Sequence, residues 1–236
     1  MENDVYIRQA NENKNHWWFE SRKEIIKNFI KKRIKKKIRI LDFGCGVGIN
    51  LDMLKLFGNV TAYDENKLAI KQIKNKTRIK IFHKFNQLKK YDLVVALDVI
   101  EHIDNDKLII KKLSNKINKN GNILITVPAF NALFTSKDIN LHHKRRYNKQ
   151  TLLKLLNKEF KMERCTYYNF FLSPIIVPML IFFKIFNINF IDKAEKKNNV
   201  ILNFILKSIF SFEKYLINFI NFPFGISILY YGKKIK

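Results

Sequence analysis

The chain has 236 residues, 47% of them hydrophobic, so it has the length and apolar content for one large domain with a full core and is not a disordered chain. Two cysteines are too few for a disulfide framework, the Cys/His spacing is not of a metal-binding type, and the polar start lacks the apolar run of a signal peptide. We therefore expect no metal and a reducing, cytoplasmic setting. The net charge of +25 has two explanations: a general abundance of lysine, or attraction to an anionic partner such as nucleic acid, anionic lipid or a phosphorylated substrate.

Predicted helices and strands alternate along most of the chain. An apolar stripe of isoleucine and phenylalanine predicts a helix over residues 21–36, and short apolar runs next to glycine, asparagine or charged residues predict strands. Strands are predicted at the start of 38–48, at 59–64, at 79–85, at the start of 91–103, and at 122–130, 162–169 and 226–232; helices are predicted at 50–58, 67–76, 106–117 and 148–160, and a turn at 118–122. This alternation indicates an α/β fold with a parallel sheet.

Three glycines follow the first predicted strand and precede a helix. Gly44, Gly46 and Gly48 would let the backbone approach a ligand closely, and the free N–H groups of the helix start suit a nucleotide-like cofactor. The spacing differs from the dinucleotide pattern GxGxxG. Asp42, just before the turn, would repel a pyrophosphate and suits a cofactor with a cationic centre and an ammonium group. Asp64, at the end of the second predicted strand, can accept hydrogen bonds from both ribose hydroxyls.

Four segments together resemble the motifs of class I S-adenosylmethionine-dependent methyltransferases: "ILDFGCGVG", "AYDEN", "YDLVVALDVIEHI" and "GNILITVPAF". The resemblance implies an enzyme with a Rossmann-like, seven-stranded sheet and S-adenosylmethionine as cofactor. It places the methionine end of the cofactor near Asp42, Gly44, Cys45, Gly46 and Gly48, the ribose at Asp64, the adenine near Asn86 and Gln87, and the far side of the cofactor at Leu97, Asp98 and His102. The segments "HWWF", "VPAF", "HKRRY" and "FPFGISIL" resemble a bacterial group of uncharacterised methyltransferases that accompany genes for cell-surface glycans and lipid-linked sugars.

A polar cluster follows the fifth predicted strand, at the sheet edge where open α/β folds bind ligands. His143 is the candidate proton acceptor and Asp138 the carboxylate that orients it, while Arg145, Arg146 and Tyr147 are candidates for binding an anionic substrate group. The alternative is structural: the arginines pair with surface carboxylates and the histidines cap a helix.

Trp17 and Trp18 precede the first predicted helix. They either anchor that helix on the sheet or, as part of an N-terminal helical lid over residues 1–37, cover cofactor and substrate. We include both tryptophans among the candidate substrate-binding residues.

Residues 170–222 form an apolar insertion between the sixth and seventh predicted strands of a single methyltransferase domain spanning 1–236. The run 170–186 is short for a membrane span of about 20 residues. With Lys184, Lys193, Lys196 and Lys197 beside it, this run suits a monotopic or re-entrant anchor that faces anionic headgroups. A helical cap facing protein, or a dimer interface, is the alternative.

The favoured hypothesis is an S-adenosylmethionine-dependent methyltransferase that acts on the oxygen of an amphiphile at the inner face of the membrane. A lipid-linked sugar, a polyprenyl phosphate or a quinone precursor would fit. One alternative is a methyltransferase fold without turnover that docks on a membrane glycosylation complex. Another is an RNA methyltransferase, which the charge favours, but "ALDVIEH" stands where methyltransferases of exocyclic amines carry an Asn/Asp-Pro-Pro-aromatic motif.

Overall fold

The structure is a computed structural model that describes residues 16–74, 79–186 and 199–235. Its centre is a seven-stranded sheet in the order β3-β2-β1-β4-β5-β7-β6. The strands are β1 (Ile38–Phe43), β2 (Gly58–Tyr63), β3 (Lys80–Phe82), β4 (Tyr91–Leu97), β5 (Ile117–Pro128), β6 (Phe160–Tyr168) and β7 (Ser227–Lys234). The pairs among β1 to β5 are parallel, and β7 lies antiparallel between β5 and β6. The predicted fold class is confirmed.

The helices occupy the connections between these strands. They are α1 (Trp17–Arg33), α2 (Leu51–Lys55), α3 (Lys67–Lys74), α4 (Asp106–Asn115), α5 (Ser136–Asn140), α6 (Lys149–Leu156), α7 (Ser173–Ile185) and α8 (Val200–Leu216), with 3-10 turns at Phe85–Gln87, Ile100–His102 and Asn131–Leu133. The last two residues of the helix predicted at 67–76 lie outside the described residues.

The centre of the sheet is covered on both faces. Four consecutive residues of β4, Leu93 to Ala96, have no solvent exposure. Because neighbouring residues of a strand point to opposite faces, this run must be buried on each side, which explains why it is uniformly apolar.

Helix α1 begins earlier than the apolar stripe predicts. The side chain of His16 accepts a hydrogen bond from the backbone N–H of Trp18 at 3.2 Å and so caps the helix. Trp17 and Trp18 are therefore in the first helical turn and not in a preceding loop, which corrects the predicted start.

The turn predicted at residues 118–122 lies inside β5. Tyr91 pairs with Ile117 and Leu93 with Asn122, so the register shifts between the two pairs and several residues bulge out of the ladder. Asn120 there has a φ of +67°. The sequence signal for a turn is real, but the chain forms a bulge in the strand instead of ending it.

The insertion joins β6 to β7 and packs on the N-terminal helix. The backbone N–H of Trp17 donates to Asn203 Oδ1 at 2.8 Å, and Ser211 Oγ donates to Ser21 Oγ at 3.0 Å. Glu213 of α8 is fully buried and accepts hydrogen bonds from three backbone N–H groups just after β6. Helices α1 and α8 thus form one layer, although they are far apart in the sequence.

The other side of the insertion is exposed and apolar. Val200, Ile201 and Phe204 of α8 are 81%, 70% and 68% exposed, and Ile175 and Phe182 of α7 are exposed to 67% and 51%. Within the described ranges, none of the helices combines the length and the apolar character needed to cross a membrane. Lys193, Lys196 and Lys197 lie outside the described residues.

Candidate active site

The glycine turn after β1 has a backbone that only glycine adopts without strain. Gly44, Gly46 and Gly48 have φ values of +71°, +53° and +84°. A Cβ on Gly44 would lie 2.6 Å from the side chain of Val99, just after β4. The turn therefore lies against the end of β4 and leaves no room for a side chain between them.

Asp64 holds this turn to the end of β2. Its carboxylate accepts the N–H of Gly46 at 2.8 Å and that of Asn66 at 2.9 Å. The position at the strand end is as predicted, and binding of the ribose remains a prediction.

Asp42 is a buried carboxylate whose Oδ2 has no hydrogen-bond partner among the described residues. Burial raises its pKa to about 7; the charge of Arg22 lowers the pKa in part and that of Asp64 raises it further. An acid in such a position is stabilised by a cation or an N–H donor from a ligand. Asp42 thus fits the ammonium group of S-adenosylmethionine, and the glycine turn fits the part of the cofactor that would contact backbone N–H groups.

Cys45 is buried and packs beside Leu51, Ala62 and Ile73. Burial and the charges of Asp42 and Asp64 raise the pKa of its thiol far above the ordinary value. The thiol therefore stays protonated, and the contacts give this side chain a packing role within the turn.

The end of β4 carries a second acid, which is paired. Asp98 has a φ of +56°, accepts a hydrogen bond from Thr126 Oγ1 at 2.9 Å and forms an ion pair with Arg22 of α1. Leu97 before it is buried. The N-terminal helix thus reaches the predicted far side of the cofactor through Arg22.

Arg22 is a residue that the sequence reasoning missed. The helix prediction over residues 21–36 rested on the apolar stripe alone and gave Arg22 no role. A signal was present: Arg22 precedes Ile25 and Ile26 by three and four positions, so it lies on the helix face that is buried. Its guanidinium lies 5.0 Å from the ring centre of Trp18.

The contacts of the two tryptophans are those of an anchor. Trp17 meets Phe210 of α8 edge to face at 6.0 Å, and Trp18 meets Phe19 at 5.0 Å. Both also pack against the main core. Their role in substrate binding and that of residues 1–37 as a lid remain predictions; residues 1–15 lie outside the described part of the chain.

His143 and Asp138 form the pair that was predicted. His143 Nδ1 lies 2.8 Å from Asp138 Oδ1, and Asp138 also accepts the backbone N–H of Thr135 at 2.9 Å, as in a capping box. Burial raises the pKa of Asp138, but hydrogen bonds from His143 and Arg146 outweigh that effect and bring it to about 2. Asp138 is therefore ionised at neutral pH and orients the ring of His143.

His102, which follows β4, lies next to this pair. Its ring centre is 4.7 Å from that of His143, with the two rings at 76°. Burial, with the nearby His143, lowers the pKa of His102 to about 4. The ring is therefore neutral at pH 7, and Glu101 beside it is fully buried, although the sequence reasoning did not single it out.

The other three residues of the loop have partners within the protein. Arg146 donates twice to Asp138, at 2.9 Å each, and Arg145 pairs with Asp106 at 2.9 Å. The hydroxyl of Tyr147 donates to Asp106 at 3.0 Å. These contacts match the structural alternative for the arginines, and substrate binding by the three residues remains a prediction.

Asn86 and Gln87 are exposed in the 3-10 turn after β3. Phe85 before them packs edge to face on Phe43 and Tyr63, at 6.3 Å and 5.9 Å, so the turn is anchored on the β1–β2 side of the sheet. Their place near the adenine remains a prediction.

A family model and several curated proteins similar to this chain are described as methyltransferases. A family model described as a methyltransferase domain matches residues 15–171, which is more than half of the chain. The ubiquinone biosynthesis O-methyltransferase of Pelagibacter ubique (strain HTCC1062) is 32% identical over 100 residues, which cover 38% of this chain and 42% of that protein. The enzyme of the same name from Rickettsia typhi is 36% identical over 100 residues, covering 38% and 41%. The chain thus spans less than half the length of these relatives.

Solved structures share the fold at low identity. The N-methyltransferase NodS from Bradyrhizobium japonicum WM9, in complex with S-adenosyl-L-homocysteine, has a TM-score of 0.60 at 10% identity, covering 99% of this chain and 98% of that one. The PH0226 protein from Pyrococcus horikoshii OT3 has a TM-score of 0.62 at 14% identity, covering 99% and 100%.

The family match confirms the predicted class, and S-adenosylmethionine is the cofactor that this family and this fold imply. The glycine turn, the buried Asp42 and the sheet order agree with that assignment. The chain belongs to the methyltransferase-domain family, with the class I fold of S-adenosylmethionine-dependent methyltransferases.

Proposed function

We propose that the protein is an O-methyltransferase that uses S-adenosylmethionine and acts on an amphiphilic acceptor. The observation that carries the proposal is the His143–Asp138 pair, at 2.8 Å, beside the end of β4. Val99 at that strand end lies against Gly44 of the glycine turn. A proton acceptor thus lies at the same sheet edge as the cofactor-binding turn.

The proton acceptor favours oxygen as the methylated atom. A hydroxyl must lose its proton as it attacks, whereas a neutral amine attacks through its lone pair before losing one. The side chain of His143 is 11% exposed, and Asp138 engages only its Nδ1, which leaves Nε2 for the proton of an acceptor. The ionised Asp138 would stabilise the imidazolium that forms. The two relatives described above are named O-methyltransferases, which supports this choice.

The cofactor would be held by the first half of the sheet. Backbone N–H groups of the glycine turn, Asp42 and Asp64 are the groups that fit it. When bound, S-adenosylmethionine supplies an electrophilic methyl group. The protein's own part is to position the acceptor hydroxyl and to take up its proton at His143.

The apolar side of the insertion supports an amphiphilic acceptor. Exposed apolar patches on a protein surface mark interaction sites, and here α7 and α8 present several large side chains to solvent. Lys184 of α7 donates to the carbonyl of Ala132 at 2.8 Å, in the loop that leads to Asp138. A lipid-anchored acceptor held by α7 would thus reach the loop that carries the proton acceptor.

A labelling assay tests the proposal. The full chain is incubated with S-adenosylmethionine carrying a radioactive methyl group, and with either a bacterial lipid extract or total RNA. We expect label in the lipid fraction and, with His143→Ala, label reduced by about 100-fold or more, the contribution typical of a general base. Label only in RNA would support the RNA methyltransferase, and no label in either, with no S-adenosylmethionine binding, would support the assembly protein without turnover.

Liposome flotation tests the membrane part separately. With vesicles of phosphatidylglycerol and phosphatidylethanolamine, the chain should rise with the vesicles. If it stays at the bottom of the gradient, contact with the membrane is wrong, and a soluble amphiphile becomes the acceptor to test.

A further inference from the structure

Three side chains of the types that bind metal ions meet at the candidate active site. Glu101, His102 and His143 each offer a donor atom, and these atoms all lie within 4.8 Å of one another. Glu101 has no solvent exposure, and neither of its carboxylate oxygens has a hydrogen-bond partner within the described residues. A buried carboxylate without donors is costly, so this position calls for a proton or a cation.

Both histidines have a ring nitrogen suited to a metal. Nδ1 of His102 is buried and has no partner among the residues that the structure describes. Nδ1 of His143 is held by Asp138, which leaves Nε2 for a second partner. A carboxylate behind a ligating histidine is common at metal sites, because it fixes the tautomer and the ring orientation.

The backbone holds the two segments of the cluster together. The N–H of Lys144 donates to the carbonyl of Glu101 at 2.8 Å. Arg145 donates to the carbonyl of Asp104 at 2.9 Å and pairs with Asp106. The three donors are therefore fixed by the fold, even though His143 is distant from the other two in the sequence.

We propose that Glu101, His102 and His143 form a binding site for a divalent transition-metal ion, with Zn²⁺ as the probe. Two imidazoles and one carboxylate suit Zn²⁺ and its neighbours in the first transition row, whereas Mg²⁺ and Ca²⁺ prefer oxygen ligands. Three protein ligands leave at least one position open for a water molecule or another oxygen. No metal was predicted from the sequence, because Glu101 and His102 lie far from His143 along the chain and form no Cys/His spacing pattern.

The metal site goes beyond the proposed function, since binding requires neither cofactor nor acceptor. It also changes what His143 would do. The same lone pair cannot hold a metal and take up a proton. In the metal-loaded protein the ion would instead lower the pKa of an acceptor hydroxyl bound to it, and the proton released would pass to water.

Calorimetry on the full chain tests the proposal. The protein is stripped with EDTA, dialysed and titrated with ZnCl₂ at pH 7 in the absence of S-adenosylmethionine. We expect saturable binding of one ion per chain, and a loss of affinity of at least about 100-fold in Glu101→Gln and His102→Ala. Asp138→Asn should weaken binding by about 10- to 100-fold. The exposed His83 provides the matched control, and His83→Ala should bind like the parent.

Circular dichroism shows whether each variant is folded. If one of the ligand variants is not folded, the test is the parent protein. Its melting temperature should rise with Zn²⁺ and should not change with Mg²⁺ at the same concentration. Absence of saturable binding in the parent, or equal affinities in parent, Glu101→Gln and His102→Ala, would overturn the proposal. Glu101 would then be a protonated structural acid. Such a failure leaves the methyl-transfer proposal standing, since that proposal needs only His143 and Asp138.

Discussion

Asp42 and Asp138 are two buried aspartates at the carboxyl edge of one sheet, and their pKa values move in opposite directions. Asp42 has no partner for one of its oxygens in the described chain, and burial raises its pKa to about 7. Asp138 is equally buried, but donors from His143 and Arg146 bring its pKa to about 2. Burial alone therefore does not decide the charge of an acid, because the presence of donors does.

The difference separates the two halves of the site. The β1–β2 half contains Asp42, whose unpartnered oxygen among the described residues would be stabilised by a cationic or N–H-bearing ligand. In the loop after β5, Asp138 already has its hydrogen-bond donors within the protein, and it fixes the orientation of His143. Changes to Asp138, Gly44 and Asp42 should each affect one half and spare the other.

The largest effect should come from removing the carboxylate of Asp138, which pairs with Arg146 and His143. Asp138→Ala leaves the buried Arg146 guanidinium, whose side chain is 8% exposed, without its carboxylate. Loss of one partner of a buried pair costs about 3–5 kcal/mol, so the free energy of unfolding in urea should fall by that amount. Asp104, an 84% exposed acid paired with Lys144, is the control, and Asp104→Ala should cost less than about 1 kcal/mol. Equal losses in the two variants would contradict the comparison.

A smaller effect should follow from a side chain in the glycine turn. Gly44→Ala forces a Cβ to 2.6 Å from Val99 at a positive φ. Strain of about 1–3 kcal/mol should displace the turn and weaken S-adenosylmethionine binding by about 10- to 100-fold. In the double variant Gly44→Ala/Val99→Ala the two contacts at 2.6 Å are removed and the nearest remaining atom of residue 99 is its Cβ at 3.2 Å, so calorimetry should show part of the affinity restored. If the double variant binds no better, the contact with Val99 is not the cause.

The raised pKa of Asp42 predicts a pH dependence of cofactor binding. Below pH 7 the carboxyl is protonated, and a cationic ligand must displace that proton. The dissociation constant for S-adenosylmethionine should therefore fall as the pH rises from 5.5 to 7, by up to about 10-fold per pH unit, and level off above pH 7. In Asp42→Asn the profile over this range should be flat. A profile unchanged by the substitution would assign the titration to another group.

The free energy of unfolding should also depend on pH through both residues, in opposite directions for Asp42 and Asp138. A folded pKa of about 7 means that the stability contributed by protonated Asp42 is lost as the pH rises from the unfolded value near 3.8 to 7. For Asp138, the contribution is present above pH 3.8 and is lost as the pH falls toward 2. Urea unfolding of the two Asn variants across pH 2.5 to 7.5 would separate these windows, and a single shared window would contradict the assignment.

The smallest effect concerns the apolar side of the insertion. Phe204→Ser removes one side chain that is 68% exposed on α8, and it should reduce vesicle binding by about 10-fold if that side chain enters the interface. Leu108, exposed to 48% on α4, is the control, and Leu108→Ser should float with the vesicles like the parent. Equal flotation of both variants would remove α8 from the membrane-binding surface.

Sequence reasoning placed the cofactor half more completely than the other half. Asp42, Gly44 and Asp64 fall within one strand–turn–helix–strand unit, and that pattern suffices to bring them to one edge. The pair His143 and Asp138 was also within reach, because only a few residues separate the two.

Long-range contacts were beyond the reach of sequence patterns. Arg22 of α1 pairs with Asp98 after β4, and α1 also packs on α8, so these contacts join segments that are far apart in the sequence. Glu101 lies beside His102 in a motif that was recognised, but its burial and its approach to His143 depend on the loop after β5. The bulge in β5 appeared in the sequence as a turn, because its residue types favour a bend whether or not the strand continues beyond it.

Calorimetry with S-adenosylmethionine at pH 7.5 tests the central claim that the glycine turn and Asp42 form the cofactor half of a methyltransferase site. One molecule should bind per chain in the parent, and the affinity should fall in Asp42→Asn and Gly44→Ala while both proteins remain folded. No binding by the folded parent at millimolar S-adenosylmethionine would contradict the claim.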